Sequence, residues 1–367
     1  MSARVLYVIT DSGVGGAEKI LADLLKNLNR DRFSPVAVVV LKEKRESAAR
    51  WEQSGVRVVS LGMGKWPSDR VFHELRKIVQ DVKPDLVHAF LYHSVQLVRF
   101  LHRTEPSFKL ISSPRINYRF APMWAQWGDR WLKKQDDLAV AESTATAQFL
   151  ISTLNYSPDK VMTIFNGVDQ RTYRFDLESR RRLRREWGVG ESDMMIGAVG
   201  RLHEQKGFDV LIEALAKMKK NHFLTRAFIF GDGREKRRLE RLITKRSVPL
   251  RIVPTRLDMP AVYSSFDIFV QSSRYEGMPN ALLEAMSSGC AAVATAVDGT
   301  LDILRDGENG ILVKPNDPAS LARALDALSL NAPLRRILAS NALQTIERFS
   351  IEQMVLSFEE AYQKVMG

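Results

Sequence analysis

Glu276 and Glu284 bracket seven uncharged residues in the run Glu-Gly-Met-Pro-Asn-Ala-Leu-Leu-Glu. Gly277 suits a turn and Pro279 the first turn of a helix, so the spacing predicts a helix from Ala281 to Ser288. A helix start points unpaired backbone N–H groups and a positive dipole end outward, which suits a phosphate. One carboxylate would then reach past that phosphate on each side. The same residues also read as a buried helix with a capped start and two solvated acids, and alone they do not decide between the two.

Other loops carry matching chemistry. In open α/β sheets, ligands collect beyond the carboxyl ends of strands. Gly200-Arg201-Leu202 follows one expected strand and Lys206-Gly207 opens the next helix, so two cations flank a loop suited to a diphosphate. Standing alone they would be ordinary surface cations. Gly231-Asp232-Gly233 and Val253-Pro254 end the next two strands, and the Glu276 stretch follows the fourth. Near the start of the chain, Gly13 to Glu18 places flexible backbone and N–H donors after the first strand. It is no dinucleotide fingerprint, because Glu18 stands at the third glycine position.

The elements that must position these loops follow from periodicity. Short apolar runs alternate with helical-period segments, the pattern of parallel α/β layers. Strands are expected at Arg4 to Ile9, Ser34 to Leu41, Val56 to Leu61, Asp85 to Ala89, Lys109 to Ser112, Leu138 to Ala141 and Val161 to Ile164. A second series is expected at Ile196 to Val199, Arg226 to Phe230, Leu250 to Val253, Ile268 to Gln271, Ala291 to Ala294 and Ile311 to Val313. With 367 residues, two domains are the prior. The boundaries are read as 1–166, a linker at 167–193 with a basic surface helix, 194–349, and a last helix at 350–367 that packs back on the first domain. The fold class is α/β, with two Rossmann-like domains.

Composition narrows the partners. The net charge of +11 favours anionic ones: nucleic acid, anionic lipid or a phosphorylated small molecule. The Arg180 to Arg185 cluster lacks interleaved aromatics and reads as a solvated face, so nucleic acid is not expected. The lone cysteine, Cys290, excludes an intramolecular disulfide and reads as a small core residue in a reducing compartment. No apolar run approaches the roughly 18 residues that span a bilayer, and Val5 to Ile9 is too short for a signal peptide. A cytoplasmic protein is expected, with room for attachment to the inner face of a membrane.

Taken together, Gly15-Gly16-Ala17-Glu18, Gly200-Arg201-Leu202 with Lys206-Gly207, Gly231-Asp232-Gly233, the Glu276 to Glu284 run, and Asp306-Gly307 with Asn309-Gly310 give the chain a resemblance to glycosyltransferase family 4. These are retaining nucleotide-sugar transferases of the GT-B fold, whose two domains face across a cleft. The resemblance implies a hexosyltransferase that uses a nucleotide sugar, a UDP-sugar favoured, and a glycan or glycolipid acceptor of surface polysaccharide or lipopolysaccharide synthesis. It implies that Arg201 and Lys206 bind the diphosphate and stabilise the leaving group, with Glu276 on the donor sugar and Glu284 on the ribose. Gly16, Gly231, Val253 and the run Gly277, Met278, Pro279, Asn280 and Ala281 would complete the donor site. No cofactor or metal is implied, and no Asp-x-Asp triplet is present to hold one.

Two places depart from the family. Where many members carry a His after the fifth strand, this chain reads Ser112-Ser113-Pro114-Arg115, and an arginine cannot serve as a base at neutral pH, though it can hold an anionic acceptor or sugar. Val297-Asp298-Gly299-Thr300 stands where two glycines are usual. On the acceptor side the expected residues are Gly15, His88, His93 and Arg115, with packing an equal reading for the two histidines. His73, His102 and His222 read as surface positions. Trp124, Trp127 and Trp131 share one helical face, read first as core-facing and second as an interfacial helix for an anionic membrane. Rival functions are a nucleotide-sugar epimerase of the same fold and a non-catalytic nucleotide-sugar or nucleic-acid binding protein. The first would turn over donor without acceptor, and the second would bind without turnover.

Overall fold

The computed structural model describes residues 2–115, 123–218 and 225–367, the side chains of 123–125 excepted. It consists of two compact units, Met1–Gly167 with Ile351–Gly367, and Val168–Ser350.

In the first unit the strands are β1 (Ala3–Ile9), β2 (Phe33–Val40), β3 (Val58–Ser60), β4 (Leu86–Phe90), β5 (Lys109–Ser113), β6 (Leu138–Ala141) and β7 (Val161–Thr163). All pair in parallel in the order β3-β2-β1-β4-β5-β6-β7. Helices α1 (Gly16–Asn27), α2 (Glu46–Gln53), α3 (Asp69–Val82), α4 (Tyr92–Thr104), α5 (Met123–Leu132) and α6 (Thr144–Ser152) make the crossovers. The second unit contains α7 (Leu177–Glu186), β8 (Met194–Val199), α8 (Phe208–Lys217), β9 (Thr225–Phe230), α9 (Lys236–Arg246), β10 (Leu250–Val253), α10 (Met259–Ser265) and β11 (Ile268–Gln271). It continues through α11 (Asn280–Ser287), β12 (Ala291–Thr295), α12 (Thr300–Ile303), β13 (Ile311–Val313), α13 (Pro318–Leu330) and α14 (Ala332–Ile346). Its sheet is also parallel, in the order β10-β9-β8-β11-β12-β13.

Period-two geometry explains how one strand feeds two cores. Val5 to Ile9 are all without solvent exposure. Val5, Tyr7 and Ile9 join one apolar cluster, and Leu6 and Val8 join another on the opposite face. The last helix, α15 (Ile351–Met366), supplies Met354, Val355, Phe358, Ala361 and Tyr362 to the first of these clusters. It is tied there by Glu359, whose Oε1 accepts from the Asn29 amide at 2.8 Å, and by Lys364, which donates to the Asp159 carbonyl at 2.8 Å.

The segment 167–193 differs from the linker expected of it. From Val168 onward it belongs to the second unit, and two arginines of its basic helix α7 are pinned rather than solvated. Arg180 Nη1 donates to the Ser265 and Phe266 carbonyls at 3.1 Å, and Arg184, 4% exposed, holds Asp267 and the Gly190 and Asp193 carbonyls. The end of α10 leaves carbonyls without helical partners, and arginines supply the donors. Among the described residues no helix is long and apolar enough to cross a membrane.

Candidate active site

In the second unit the strand order reverses between β8 and β11, so the loops leaving those two strands meet. The β8 loop contains a short 3-10 turn, Glu204–Lys206, opened by His203, whose Nδ1 accepts from the Gln205 amide at 3.2 Å. Gly207 closes it at φ 60, and a Cβ there would strike the Ser272 carbonyl, so both backbone conformation and close approach require glycine. The Arg274 amide donates to the Gln205 carbonyl at 2.7 Å and Ser272 Oγ to the Lys206 carbonyl at 3.0 Å. These bonds stitch the two loops together.

That stitching brings two of the expected residues into contact. Lys206 Nζ lies 2.6 Å from Glu276 Oε1, and the same oxygen accepts from Ser273 Oγ at 2.6 Å. Glu276 is only 5% exposed, so this is a largely desolvated, charge-assisted pair. Its Oε2 has no hydrogen-bond partner among the described residues. Arg201, from the same loop as Lys206, stays exposed.

Helix α11 begins at Asn280, and Pro279 is its N-cap rather than part of its first turn. One turn in, Glu284 accepts from the Tyr263 hydroxyl of α10 at 2.7 Å. Burial, then the Glu284 charge, pushes the Tyr263 phenol well above its ordinary pKa, which keeps it a donor. The two acids bracketing the helix start are thus held from different sides. Gly277 is crowded by Gly299, where a Cβ would collide with the Gly277 carbonyl, so the glycine that remains in Val297–Thr300 is one the packing requires. At the end of β9, Gly231 donates to the Val253 carbonyl at 2.9 Å and sits against the Gly200 carbonyl with no room for a side chain. Asp306 and Asn309 serve a turn: Asp306 accepts from the Leu312 amide at 2.9 Å, and Asn309 accepts from the Arg305 amide at 2.7 Å.

The first unit has its own reversal, between β1 and β4. Helix α1 starts at Gly16 with Gly15 as N-cap, and Glu18 lies in its first turn. His88 leaves the expected acceptor group. It is fully buried in β4, with Nδ1 2.8 Å from the Tyr362 hydroxyl and Nε2 2.9 Å from Ser113 Oγ, so both ring nitrogens are taken. Burial first, and then the charge of Arg115, keeps its pKa well below 6.5. His93 stays at the start of α4, its ring centroid 5.8 Å from that of Trp66. Arg115 follows β5 and donates through Nη1 to Asn166 Oδ1 at 2.8 Å.

The tryptophan stripe also differs from the core-facing reading. Trp127 and Trp131 are 64% and 61% exposed, while Asp129 and Leu132 take the buried face of α5. The side chain of Trp124 lies outside the described residues, as does His222. Asp129 pairs with the fully buried Arg99, which also binds Asp136 through Nε and Nη2 at 2.8 and 2.6 Å. That network turns α5 so that Trp127 and Trp131 face outward.

Sequence reading missed three residues that shape the geometry around Lys206, Glu276 and Glu284: Ser273, Tyr263 and His203. Only His203 carried a local signal, since it stands between Arg201 and Lys206. Its Nε2 meets Arg234 Nη2 at 2.9 Å, and burial, then Arg234 and Arg201, lower its pKa.

Comparison with known proteins agrees with this architecture. A family model described as glycosyltransferase family 4 matches residues 14–172, and one described as glycosyl transferases group 1 matches 179–345. The chain is 30% identical to the uncharacterized glycosyltransferase MJ1607 of Methanocaldococcus jannaschii over 62% of its own length and only 60% of that relative's. It is 26% identical to the lipopolysaccharide core biosynthesis glycosyltransferase LpsE of Rhizobium meliloti over 90% of this chain and 91% of that one. Among solved structures, Anabaena Alr3699/HepE in complex with UDP-glucose superposes with a TM-score of 0.87 at 21% identity, covering 98% of this chain and 99% of that one. Two parallel-sheet units, motifs at both topological reversals and family models over both halves lead to one conclusion: the chain is a glycosyltransferase of the GT-B type.

Proposed function

We propose that this transferase is a retaining, metal-independent hexosyltransferase that moves a sugar from a nucleotide sugar, preferably a UDP-sugar, to a glycan or lipid-linked acceptor of cell-surface polysaccharide or lipopolysaccharide synthesis. The observation that carries the reading is the Lys206–Glu276 pair beside the start of α11, at the strand reversal of the second unit. Charge builds on the diphosphate as it leaves; Lys206 and the exposed Arg201 neutralise it, and the amides from Met278 to Ala281 add the helix-start donors. Glu276, anchored through Oε1, offers Oε2 to a sugar hydroxyl, and Glu284 offers its carboxylate to the ribose. The UDP-glucose bound by HepE and the lipopolysaccharide role in LpsE's name support the donor and the pathway. Fixed cations and a helix start do the work that a metal does elsewhere.

In this reading the enzyme works in the cytoplasm, docked on the inner face of the membrane through Trp127 and Trp131, with Arg130 and Lys134 drawn to anionic lipid. The test is a screen of UDP-, GDP- and ADP-sugars for binding and slow hydrolysis by the purified chain with and without EDTA. Binding and EDTA-insensitive hydrolysis of one class are expected. Failure to bind any of them removes the reading.

A further inference from the structure

Arg115 stands two residues beyond β5 with φ 46. Left-handed backbone disfavours a residue with a long side chain, and strain of this kind gathers at functional sites. One part of the guanidinium is fixed, since Nη1 donates to Asn166 and Cζ lies 5.7 Å over the Phe90 ring. The opposite edge is not. Nε and Nη2 are both out of contact with solvent, and neither has a hydrogen-bond partner. Glu142 and Glu18 act electrostatically on its charge.

Buried donors of a charged group are costly to leave unmade, so proteins pair them almost without exception. Here the two unmade donors are neighbours in the guanidinium plane. An Nε–H and the adjacent Nη2–H project side by side, at the spacing of two oxygens of one carboxylate, phosphate or sulfate. A lysine would offer only a point charge. The contact to Asn166 sets the plane, and the edge left over is the one that grips oxyanions in two places.

We propose that the Nε/Nη2 edge of Arg115 binds an oxyanion of the substrate, so that the enzyme acts on a charged sugar or a charged acceptor rather than neutral ones. This deepens the transferase reading above and rests on it. The oxyanion has two possible carriers, the donor sugar and the acceptor, and both present the same chemistry to Arg115.

Two binding comparisons on the full chain separate them. In the donor arm, UDP-glucuronate is compared with UDP-glucose, which replaces the carboxylate by a hydroxymethyl group. In the acceptor arm, with UDP present, glucose 6-phosphate is compared with glucose. In one arm the charged probe binds at least about tenfold tighter. Arg115→Met erases that preference and Arg115→Lys retains part of it, while affinity for UDP itself is unchanged. The thermal midpoint of Arg115→Met stays level or rises, because the substitution removes a buried charge whose donors lack partners; a purely structural arginine would lower it. Equal binding of charged and neutral probes in both arms, or a preference that survives Arg115→Met, overturns the assignment and leaves the transferase reading standing. A parent chain that binds no nucleotide sugar overturns both.

Discussion

Lys206 and Glu276, seventy residues apart in sequence, meet through Nζ and Oε1 at 2.6 Å, and Ser273 adds a second bond to the same oxygen. An ion pair at 20% and 7% side-chain exposure is a weak source of stability, because desolvation offsets much of the attraction. In the proposed reaction its value lies in holding a cation where diphosphate charge develops. Lys206→Ala is therefore expected to lower kcat by about 10²- to 10³-fold, and to lower the unfolding midpoint too, because it leaves the buried Glu276 carboxylate without its counter-charge. Glu276→Gln has a comparable effect, and the double variant loses less than the product of the two, since the pair acts as a unit. Turnover of the donor measured for all four proteins decides this; multiplicative losses would show two independent roles.

Gly231 has no room for a side chain beside the Gly200 carbonyl. Gly231→Ala must push apart the ends of β8 and β9 and is expected to destabilise the second unit by about 1–3 kcal/mol. Gly64 faces open space, so Gly64→Ala is the control, neutral or stabilising by about 0.4–1 kcal/mol. Denaturant midpoints for the two variants should move in opposite directions or differ by that margin. Equal midpoints would mean that the strand ends yield freely.

His88 gives the first unit a pH dependence whose sign is determined by burial. The native ring stays neutral well below 6.5, whereas the unfolded chain takes up a proton near the ordinary value. Below about pH 6.5, stability contributed by this site falls with pH until the depressed native pKa is reached, at up to about 1.4 kcal/mol per pH unit; above 6.5 it is constant. His88→Gln should lower the melting temperature at pH 7.5, where the bonds to Tyr362 and Ser113 are lost, yet lose less on going to pH 5 than the parent does. Parallel pH profiles would show that His88 titrates freely in the native state.

Trp127 and Trp131 should carry binding to vesicles containing phosphatidylglycerol. Their double replacement by Ala, and separately Arg130→Gln with Lys134→Gln, should each weaken co-sedimentation. The basic pair is worth about 1 kcal/mol per residue near an anionic surface, so its loss costs roughly tenfold or more in affinity. Added salt should weaken the parent's binding in the same direction. Sedimentation of the tryptophan variant at the parent's level would remove the membrane-docking role.

Much of the fold was legible because its signals are local. Val5 to Ile9 is a continuous apolar run because β1 is buried on both faces, and the loops after β8 and β11 carry glycines and charges where strands end. What escaped depends on partners distant in sequence. Sequence could not decide between packing and ligand contact for His88, because its partner Tyr362 lies 274 residues away. Arg180 and Arg184 looked solvated because the Ser265 carbonyl and the Asp267 carboxylate they share come more than eighty residues later. Helical spacing put Trp127 and Trp131 on one face of α5, yet periodicity does not say which face a buried Arg99 will claim.

The return of α15 to the first unit has a consequence for biosynthesis. Tyr362 and Phe358 belong to the same core as Val5 and Tyr7, but they leave the ribosome only after the whole of Val168–Ser350 has been made. The second unit, contiguous in the chain, can close while translation continues; the first must wait with Tyr7, Phe33 and the ring of His88 uncovered on one side. Of the two units, the one begun first is thus the one completed last, and in that interval its apolar face is open to aggregation.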